Sequence, residues 1–429
     1  MFARPVSGNQ FETDRTSPAR RPHLTAHCLD GYVGDPASTT FRIANFQTPV
    51  PDTSPSAESV PGLDLLWFCQ LAADGEFIGS GPMRRPTLPY LSSLVETAAE
   101  MGFSSLLTAT NFHAENDAWT ASVATLARTE GAGLLIAVRP GMFNPAVFAK
   151  MAATAATLFP GRVRVNVVTG SNPAENAMYG DHETHDMRYS RTHEWIALMR
   201  RLWTEPLVDH KGTFYECHGA KLEPKPSPAI PVYLGGHSEA AQKLAAELAD
   251  VYLVWADTLD GIRARLATMS EAESAAGRRV PRGMRCHVIV RETENEAWAA
   301  ADRLISRVDP AVRAAFVDAA NRTDSEGQRR QIALSTGPSL VVEDNLWAGV
   351  GLARTGVGLA IVGNPEQVAA KLRAYQALGV STFILSGYPH LEECRRFGDL
   401  VMPLLRTSRA TPVTARAEFA RSEGVAPVT

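Results

Sequence analysis

The 429-residue sequence lacks the signatures of several large protein classes. It contains no Gly-x-x-x-x-Gly-Lys-Ser/Thr loop for nucleoside triphosphates, and no Gly-x-Gly-x-x-Gly turn between a strand and a helix. No apolar run approaches the roughly 18 residues needed to cross a bilayer. A net charge of −4 argues against nucleic-acid binding, which needs a concentrated basic face. We therefore expect a protein that binds neither nucleic acid nor membrane.

The sequence is also poor in cysteine, with five residues and no Cys-x-x-Cys pair. An odd number without such spacing argues against a disulfide framework and is typical of reduced thiols in a cytosolic protein. The arginines near the N-terminus are not followed by the apolar segment of a secretory signal. We therefore expect a cytoplasmic location.

Patterns of metal ligands are sparse as well. The chain has no His-x-His pair, which metal-dependent barrel hydrolases usually carry at the end of a strand. His182 and His185 would share one helical turn, but the further ligands of a zinc site do not stand near them in the sequence. We predict no metal site.

Composition divides the chain into three parts. Residues 1–61 show no sustained periodicity and end in a segment rich in proline and serine, and residues 407–429 are small and polar. We expect the first part to be a disordered extension and the last a flexible tail. Residues 62–406 between them are expected to form one domain.

This central part contains short apolar runs that alternate with helical patterns. Several of the eight runs lack apolar–polar alternation, as expected of strands buried on both faces. Eight strand–helix units favour an α/β fold, a (β/α)8 TIM barrel, over an open doubly wound sheet. The predicted strands are Leu63–Phe68, Ser104–Leu107, Leu134–Val138, Val163–Val168, Val232–Leu234, Val251–Val254, His287–Val290 and Thr382–Leu385.

Two segments are too long to be simple connections between these elements. Residues 169–185 follow the fourth predicted strand, and residues 306–358 precede the last helix–strand unit. Long insertions in a compact domain usually carry function. We place both at the C-terminal face of the barrel, where such folds carry their active sites.

Two polar turns follow predicted strands at that face. Thr169, Gly170 and Ser171 offer hydroxyl groups and a backbone that a ligand can approach closely, although an ordinary polar loop would look similar. Gly236 and Ser238 stand at the start of a predicted helix, where free N–H groups and the helix dipole attract anions. A tight turn with a serine cap is the alternative for the second segment.

Two further pairs combine cationic and aromatic side chains. Arg285 and His287 alternate along a strand and therefore point to the same face, opposite Cys286. Tyr388 and His390 follow the last predicted strand. Both pairs suit anion binding or proton transfer, but each could also be a set of satisfied structural residues.

Taken together, these segments resemble the two-component, FMN-dependent alkanesulfonate monooxygenases of the bacterial-luciferase-like superfamily. The resemblance spans about residues 62–406. It is carried by Asn166-Val-Val-Thr-Gly-Ser171, His185-Asp-Met-Arg-Tyr189, Gly219-Ala-Lys-Leu222, His287-Val-Ile-Val-Arg-Glu-Thr293, Asn345-Leu-Trp-Ala-Gly-Val-Gly-Leu352 and Ser386-Gly-Tyr-Pro-His-Leu-Glu-Glu393.

The resemblance implies a reaction in sulfur metabolism. A separate NAD(P)H-dependent reductase would supply reduced FMN, and O2 would then be used to cleave a small sulfonate into an aldehyde and sulfite. It also implies a homo-oligomer.

The resemblance further assigns roles to single residues. His185, Tyr189 and Ser238 match positions that hold the FMN phosphate and ribityl chain. Arg285, His287, Tyr388 and His390 match the active-site cluster of the sulfonate enzymes. Arg354 matches an arginine on a mobile loop that closes over the substrate.

One position departs from the family pattern. The sulfonate enzymes usually carry a cysteine where this chain has Glu115. A carboxylate there would repel an anionic substrate unless it were protonated or paired. Alternatives are therefore a relative that oxidises a sulfone or an aminocarboxylate, a deazaflavin-dependent oxidoreductase, or a non-catalytic flavin-binding protein.

Overall fold

The computed structural model describes residues 60, 62–78, 83–170, 172–311, 313, 314, 318 and 323–407. The expectations for Ser171, for the tail after Thr407 and for the extension before Val60 concern residues outside these ranges. Val60 belongs to the segment that we expected to be disordered, and it is buried in the main core.

Eight parallel strands close into a barrel, which confirms the predicted fold. The closed order is β1-β2-β3-β4-β7-β8-β9-β13, and β13 pairs again with β1. The strands are β1 (Asp64–Cys69), β2 (Ser105–Thr108), β3 (Gly133–Val138), β4 (Val163–Val167), β5 (Val208–Lys211), β6 (Glu216–Ala220), β7 (Val232–Gly235), β8 (Val251–Trp255), β9 (Arg282–Val290), β10 (Val341–Glu343), β11 (Leu346–Trp347), β12 (Ala360–Gly363) and β13 (Val380–Ser386).

Helices surround the barrel and connect its strands. None of those in the described part of the chain is long and apolar enough to cross a membrane. They are α1 (Leu88–Met101), α2 (Ala118–Leu126), α3 (Pro145–Leu158), α4 (Pro173–Met178), α5 (His185–Thr204), α6 (Glu239–Leu248), α7 (Leu259–Ala276), α8 (Glu294–Ile305), α9 (Glu326–Ser335), α10 (Pro365–Ala377), α11 (His390–Leu400) and α12 (Met402–Thr407).

Local signals set several of these boundaries. Ser238 caps α6 as predicted, since its hydroxyl accepts a hydrogen bond from the N–H of Ala241. Asn364 and Gln367 form a capping box that starts α10. Gly379 follows this helix with a φ of +101°, a left-handed conformation that favours glycine and ends the helix.

Side chains of each barrel strand alternate between two cores. Leu66 and Phe68 of β1 enter the barrel interior, where they meet residues such as Leu135 and Ile384. Leu65 and Trp67 face the layer between the barrel and its helices. In the part of the chain that the structure describes, these side chains pack the interior of the barrel.

All eight barrel strands were predicted from the sequence, but the predicted range of β9 was too short. The predicted strand began at His287, whereas β9 begins at Arg282. The first part of β9 contains two arginines. Arg282 pairs with buried Glu273, and Arg285 points into the barrel. A buried strand is recognised in a sequence by its apolar run. Polar residues interrupt that run, even when partners from distant parts of the chain satisfy them in the folded protein.

Candidate active site

A cavity opens at the C-terminal mouth of the barrel, the face at which such folds carry their active sites. Both long insertions reach it, one through Thr169, Gly170 and His185 and the other through Asp324–Glu326. The other lining residues are Leu107, Asn166, Val167, Val168, Tyr189, Gly235, Gly236, His237, Ser238, Leu253, Trp255, Arg285 and Ile384.

One end of the cavity is built from the β7–α6 turn and the start of α5. Gly236 has a φ of +154°, and a Cβ there would overlap Ala241 and lie 3.2 Å from the hydroxyl of Tyr189. Glycine therefore allows the turn backbone and this hydroxyl to come together. The rings of His185 and Tyr189 lie 4.8 Å apart on one face of α5. Together with the N-terminus of α6, these groups suit a phosphate.

A half-buried carboxylate, that of Asp324, faces the same cavity from the second insertion. The Oδ2 atom of Asp324 accepts a hydrogen bond of 2.6 Å from Arg188, which also donates to the carbonyl of Gly170. Among the described residues, the buried Oδ1 atom of Asp324 has no hydrogen-bond partner. A ligand hydroxyl at this point would satisfy it.

The inner end of the cavity holds Arg285, which is 6% exposed. Its guanidinium donates to the carbonyls of Cys286 and Ile384 and, at 2.7 Å, to the hydroxyl of Ser386. It also lies 4.6 Å from the centre of the Phe68 ring. Burial, with the nearby charge of Arg354, lowers the pKa of Arg285 to about 9. A bound anion would stabilise the charged form of Arg285.

His287 continues the hydrogen-bonded chain from Arg285. Its Nε2 atom lies 3.2 Å from the carbonyl of Val357, which can only accept, so this nitrogen carries the proton. Its Nδ1 atom then accepts from Ser386 at 2.7 Å. Burial, together with Arg285 and Arg354, lowers the pKa of His287 well below its usual value. The imidazole is therefore neutral and fixes the orientation of Ser386.

Tyr388 joins this chain to the second histidine. Its hydroxyl accepts a hydrogen bond of 2.5 Å from Arg354, which comes from the second insertion. The Tyr388 ring lies 5.7 Å from that of His287 and 4.8 Å from that of His390. Strand ends and an insertion thus bring Arg354, Tyr388 and His390 close to Arg285 and His287, but these three residues do not line the cavity themselves.

Most of the residues proposed from the sequence fall into one of these two groups. Six of the seven expected cofactor residues line the cavity, and Ser171 lies outside the described ranges. The structure places Glu115 elsewhere: it does not line the cavity, and it pairs with Arg85 at 2.7 Å. Arg85 therefore neutralises the charge of Glu115, and no cation of the active-site cluster is needed for this.

Sequence reasoning missed some groups that the structure places at the site. Ser386 links Arg285 to His287, and its position directly after a predicted strand was the available signal. Phe68 looked like an ordinary core residue of β1. Asp324 lies in an insertion without a clear pattern, and only the folded chain brings it to the cavity.

The buried histidines predict a loss of stability in acid. Burial, reinforced by Arg354 and Arg285, lowers the pKa of His390 to about 4, although Asp74 opposes the shift. Between about pH 6.5 and pH 4 the unfolded chain binds a proton that the folded chain does not, so acidification favours unfolding. His390 alone should cost up to about 3 kcal/mol across this window.

Thermal melts of the wild type and His390→Gln from pH 7 to pH 4 measure this effect. The melting temperature of the variant should depend less steeply on pH. The same change at exposed His193 serves as a control and should leave the slope unaltered. Equal slopes for His390→Gln and the wild type would contradict a buried, neutral His390.

A barrel with a ligand cavity at the C-terminal ends of its strands is an arrangement typical of enzymes. The family model described as luciferase-like monooxygenase matches residues 64–382, and the chain belongs to this family.

Solved structures share the fold at low sequence identity. EDTA monooxygenase (EmoA) from Chelativorans sp. BNC1 is 19% identical with a TM-score of 0.65, over 80% of this chain and 93% of that one. Riboflavin lyase (RcaE) is 19% identical with a TM-score of 0.67, over 80% and 91%. An F420-dependent secondary alcohol dehydrogenase is 19% identical with a TM-score of 0.60, over 80% and 99%. These likenesses show the fold alone.

Proposed function

We propose that the protein is a reduced-FMN-dependent monooxygenase that converts small alkanesulfonates to an aldehyde and sulfite. The observation that carries this proposal is the position of Arg285 at the inner end of the cavity, beside Arg354, His287 and Tyr388. The resemblance of the Asn345 and Ser386 segments to the sulfonate enzymes supports the substrate class.

The residues of the outer end fit FMN. The Gly236 turn, the first turn of α6 and the hydroxyl of Tyr189 would hold the phosphate. The unsatisfied Oδ1 atom of Asp324 would accept a hydrogen bond from a ribityl hydroxyl. When bound in its reduced form, FMN would supply the two electrons that activate O2. One structure with this fold is an F420-dependent secondary alcohol dehydrogenase, so a deazaflavin is the alternative cofactor.

The inner end fits an anionic headgroup. The hydrogen bonds of Arg285 go to neutral oxygens, and those of Arg354 go to Tyr388 and the carbonyl of Thr355. Neither cation is paired with a carboxylate through these bonds, and Arg285, which lines the cavity, would bind the sulfonate directly. Charge-assisted hydrogen bonds from guanidinium groups would fix the sulfur beside the flavin and exclude water from it.

The proposed reaction is balanced. A sulfonate, O2 and the reduced flavin yield an aldehyde, hydrogen sulfite, water and the oxidised flavin. One oxygen atom enters the aldehyde and the other leaves as water. Arg285 would stabilise the negative charge that accumulates near the reacting carbon and sulfur, because its guanidinium is fixed in place by Ser386 before the substrate arrives.

An aminocarboxylate is the second candidate substrate. A carboxylate would bind the same two arginines, and EDTA monooxygenase shares the fold. A separate NAD(P)H-dependent FMN reductase and a homo-oligomeric state complete the proposal, as the resemblance to two-component enzymes implies.

A panel of substrates tests this function. Reduced FMN, supplied by any reductase, is combined with the protein, O2 and sulfonates of increasing chain length, and sulfite is measured. Sulfite release that depends on O2 and FMN is the expected result. Aminocarboxylates and deazaflavin are tested in parallel. If these are turned over and no sulfonate releases sulfite, the proposed substrate is wrong.

A further inference from the structure

Gln331 is a buried glutamine of α9, the helix of the second insertion, and its side chain makes two hydrogen bonds to the main chain. Oε1 accepts from the N–H of Gly358 at 2.8 Å, and Nε2 donates to the carbonyl of Ala256 at 2.9 Å. An N–H group can only donate and a carbonyl can only accept, so these partners fix the orientation of the amide. Because Gln331 is 2% exposed, water does not compete for either bond.

The bond to Gly358 sets the direction of a carbonyl that reaches the active-site cluster. The N–H of Gly358 and the carbonyl of Val357 belong to the same trans peptide group, in which they point in opposite directions. The N–H points to Gln331, and the carbonyl lies 3.2 Å from Nε2 of His287. A rotation of this peptide group would therefore break both hydrogen bonds at once.

The hydrogen bonds between Arg285 and Gln331 all run in one direction. Arg285 donates to Ser386 at 2.7 Å, and Ser386 donates to Nδ1 of His287 at 2.7 Å. His287 donates to the carbonyl of the peptide group, whose N–H donates to Gln331. Gln331 donates to Ala256, and the N–H of Ala256 donates at 2.9 Å to the main-chain carbonyl of Arg285. The series thus closes into a hydrogen-bond ring, in which each bond polarises the next.

The helix that carries Gln331 is anchored to the barrel at this point. The neighbouring side chain, that of Arg330, forms two hydrogen bonds of 2.8 Å with Asp257, which follows β8. One turn later, Ser335 lies 2.9 Å from the carbonyl of Ala348. Gln331 therefore projects from a fixed support, as a residue that orients an active site requires.

We propose that Gln331 is a positioning residue for Arg285, and that it acts through the hydrogen-bond ring. By fixing the peptide group beside His287, it keeps the imidazole proton on Nε2 and leaves Nδ1 to accept from Ser386. In the other tautomer, a lone pair of Nε2 would face the carbonyl of Val357. Nδ1 would then donate to Ser386 as Arg285 does, and the direction of the Ser386 hydroxyl would no longer be set. The effect on catalysis rests on the proposed function, whereas the ring does not.

Nitrogen NMR of protein labelled isotopically at its histidines tests the proposal without flavin or substrate. His287→Gln assigns the signals of that ring. We expect a single neutral tautomer in the wild type, with the proton on Nε2. Gln331→Met removes both hydrogen bonds with a side chain of similar length, and it should give a mixture of the two tautomers. An unchanged single tautomer in Gln331→Met would overturn the proposal.

A double-mutant cycle tests whether Gln331 acts through the ring. Gln331→Met should lower kcat/KM for a sulfonate about tenfold, because a misplaced charge partner stabilises the reacting groups less well. Ser386→Ala breaks the ring between His287 and Arg285, so Gln331→Met added to it should cost less than about twofold more. Effects that multiply fully in the double variant would mean that Gln331 acts by another route, and they would overturn the proposal.

Gln367→Met is the matched control. Oε1 of Gln367 also accepts from a main-chain N–H, that of Asn364 at 2.9 Å, in the capping box of α10. Its loss should lower the melting temperature and leave the His287 tautomer and kcat/KM unaltered. A change in either quantity as large as that in Gln331→Met would show that general destabilisation is the cause, and the positioning role would fail.

Gln331→Asn decides if Gln331→Met does not fold. The shorter amide keeps the polarity of this position but cannot reach both partners of the glutamine, so a mixture of tautomers is expected and a single tautomer would refute the role. If no sulfonate releases sulfite, the cycle is measured on the substrate that the panel identifies. The proposed substrate would then fail, while the tautomer of His287 still decides for or against Gln331.

Discussion

Arg285→Ala should lower the turnover of a sulfonate by about 10²-fold or more, the scale on which loss of a preorganised charge partner acts. The guanidinium is fixed by Ser386 and two backbone carbonyls, so its charge is in place before a substrate binds. Steady-state sulfite release measures the effect. Reduced FMN should bind with a much smaller change, because the phosphate end of the cavity is built from other residues.

Two comparisons sharpen this prediction. Arg285→Lys should recover activity only in part, because an ammonium group cannot reproduce the fork of hydrogen bonds. Arg282→Ala removes an arginine from the same strand at the other end of the barrel. It should reduce stability, since it removes the nearer of the two arginines that pair with buried Glu273, and keep kcat. Turnover by Arg285→Ala equal to that of the wild type would refute the proposed role of this charge.

Gly236→Ala should weaken FMN binding by roughly 5- to 150-fold. The residue has a φ of +154°, and the added methyl group would overlap Ala241 and crowd the Tyr189 hydroxyl. Backbone strain of this kind costs about 1–3 kcal/mol, and the turn must shift away from the ligand to relieve it. Titration of the protein with FMN, followed by flavin fluorescence, gives the affinity.

Gly277→Ala is the control for strain alone. Gly277 has a φ of +67° at the end of α7, and a Cβ there would have no atom within 4 Å. The substitution should lower the melting temperature without changing FMN affinity. If the two variants weaken FMN binding equally, the Gly236 turn is not the phosphate site.

The barrel could be predicted because its strands are short apolar runs that alternate with helical patterns. Each of the eight was found, and the position of Ser238 at the start of a helix was found from residue type alone. The β5–β6 hairpin and the short strands β10–β12 were missed. The hairpin is largely exposed and the three strands have only two to four residues, so their patterns carry little signal.

The candidate site was predicted unevenly for a similar reason. Arg285 and His287 could be placed on one face because alternation along a strand is fixed by geometry. The resemblance supplied Tyr388, His390 and Arg354. Asp324 could not be predicted, because its importance comes from its contact with Arg188, which belongs to a distant segment of the chain. From the sequence, Glu115 was expected to lie near the substrate and to repel it. Only the structure shows that it pairs with Arg85.

A single-turnover experiment tests the central claim most directly. The protein loaded with reduced FMN is mixed with O2 and an alkanesulfonate, and the oxidised flavin and the released sulfite are counted in the same sample. The proposal predicts sulfite in stoichiometric amount to the flavin oxidised, and none without O2. Oxidation of the flavin without sulfite for every chain length, or sulfite release without O2, would contradict it.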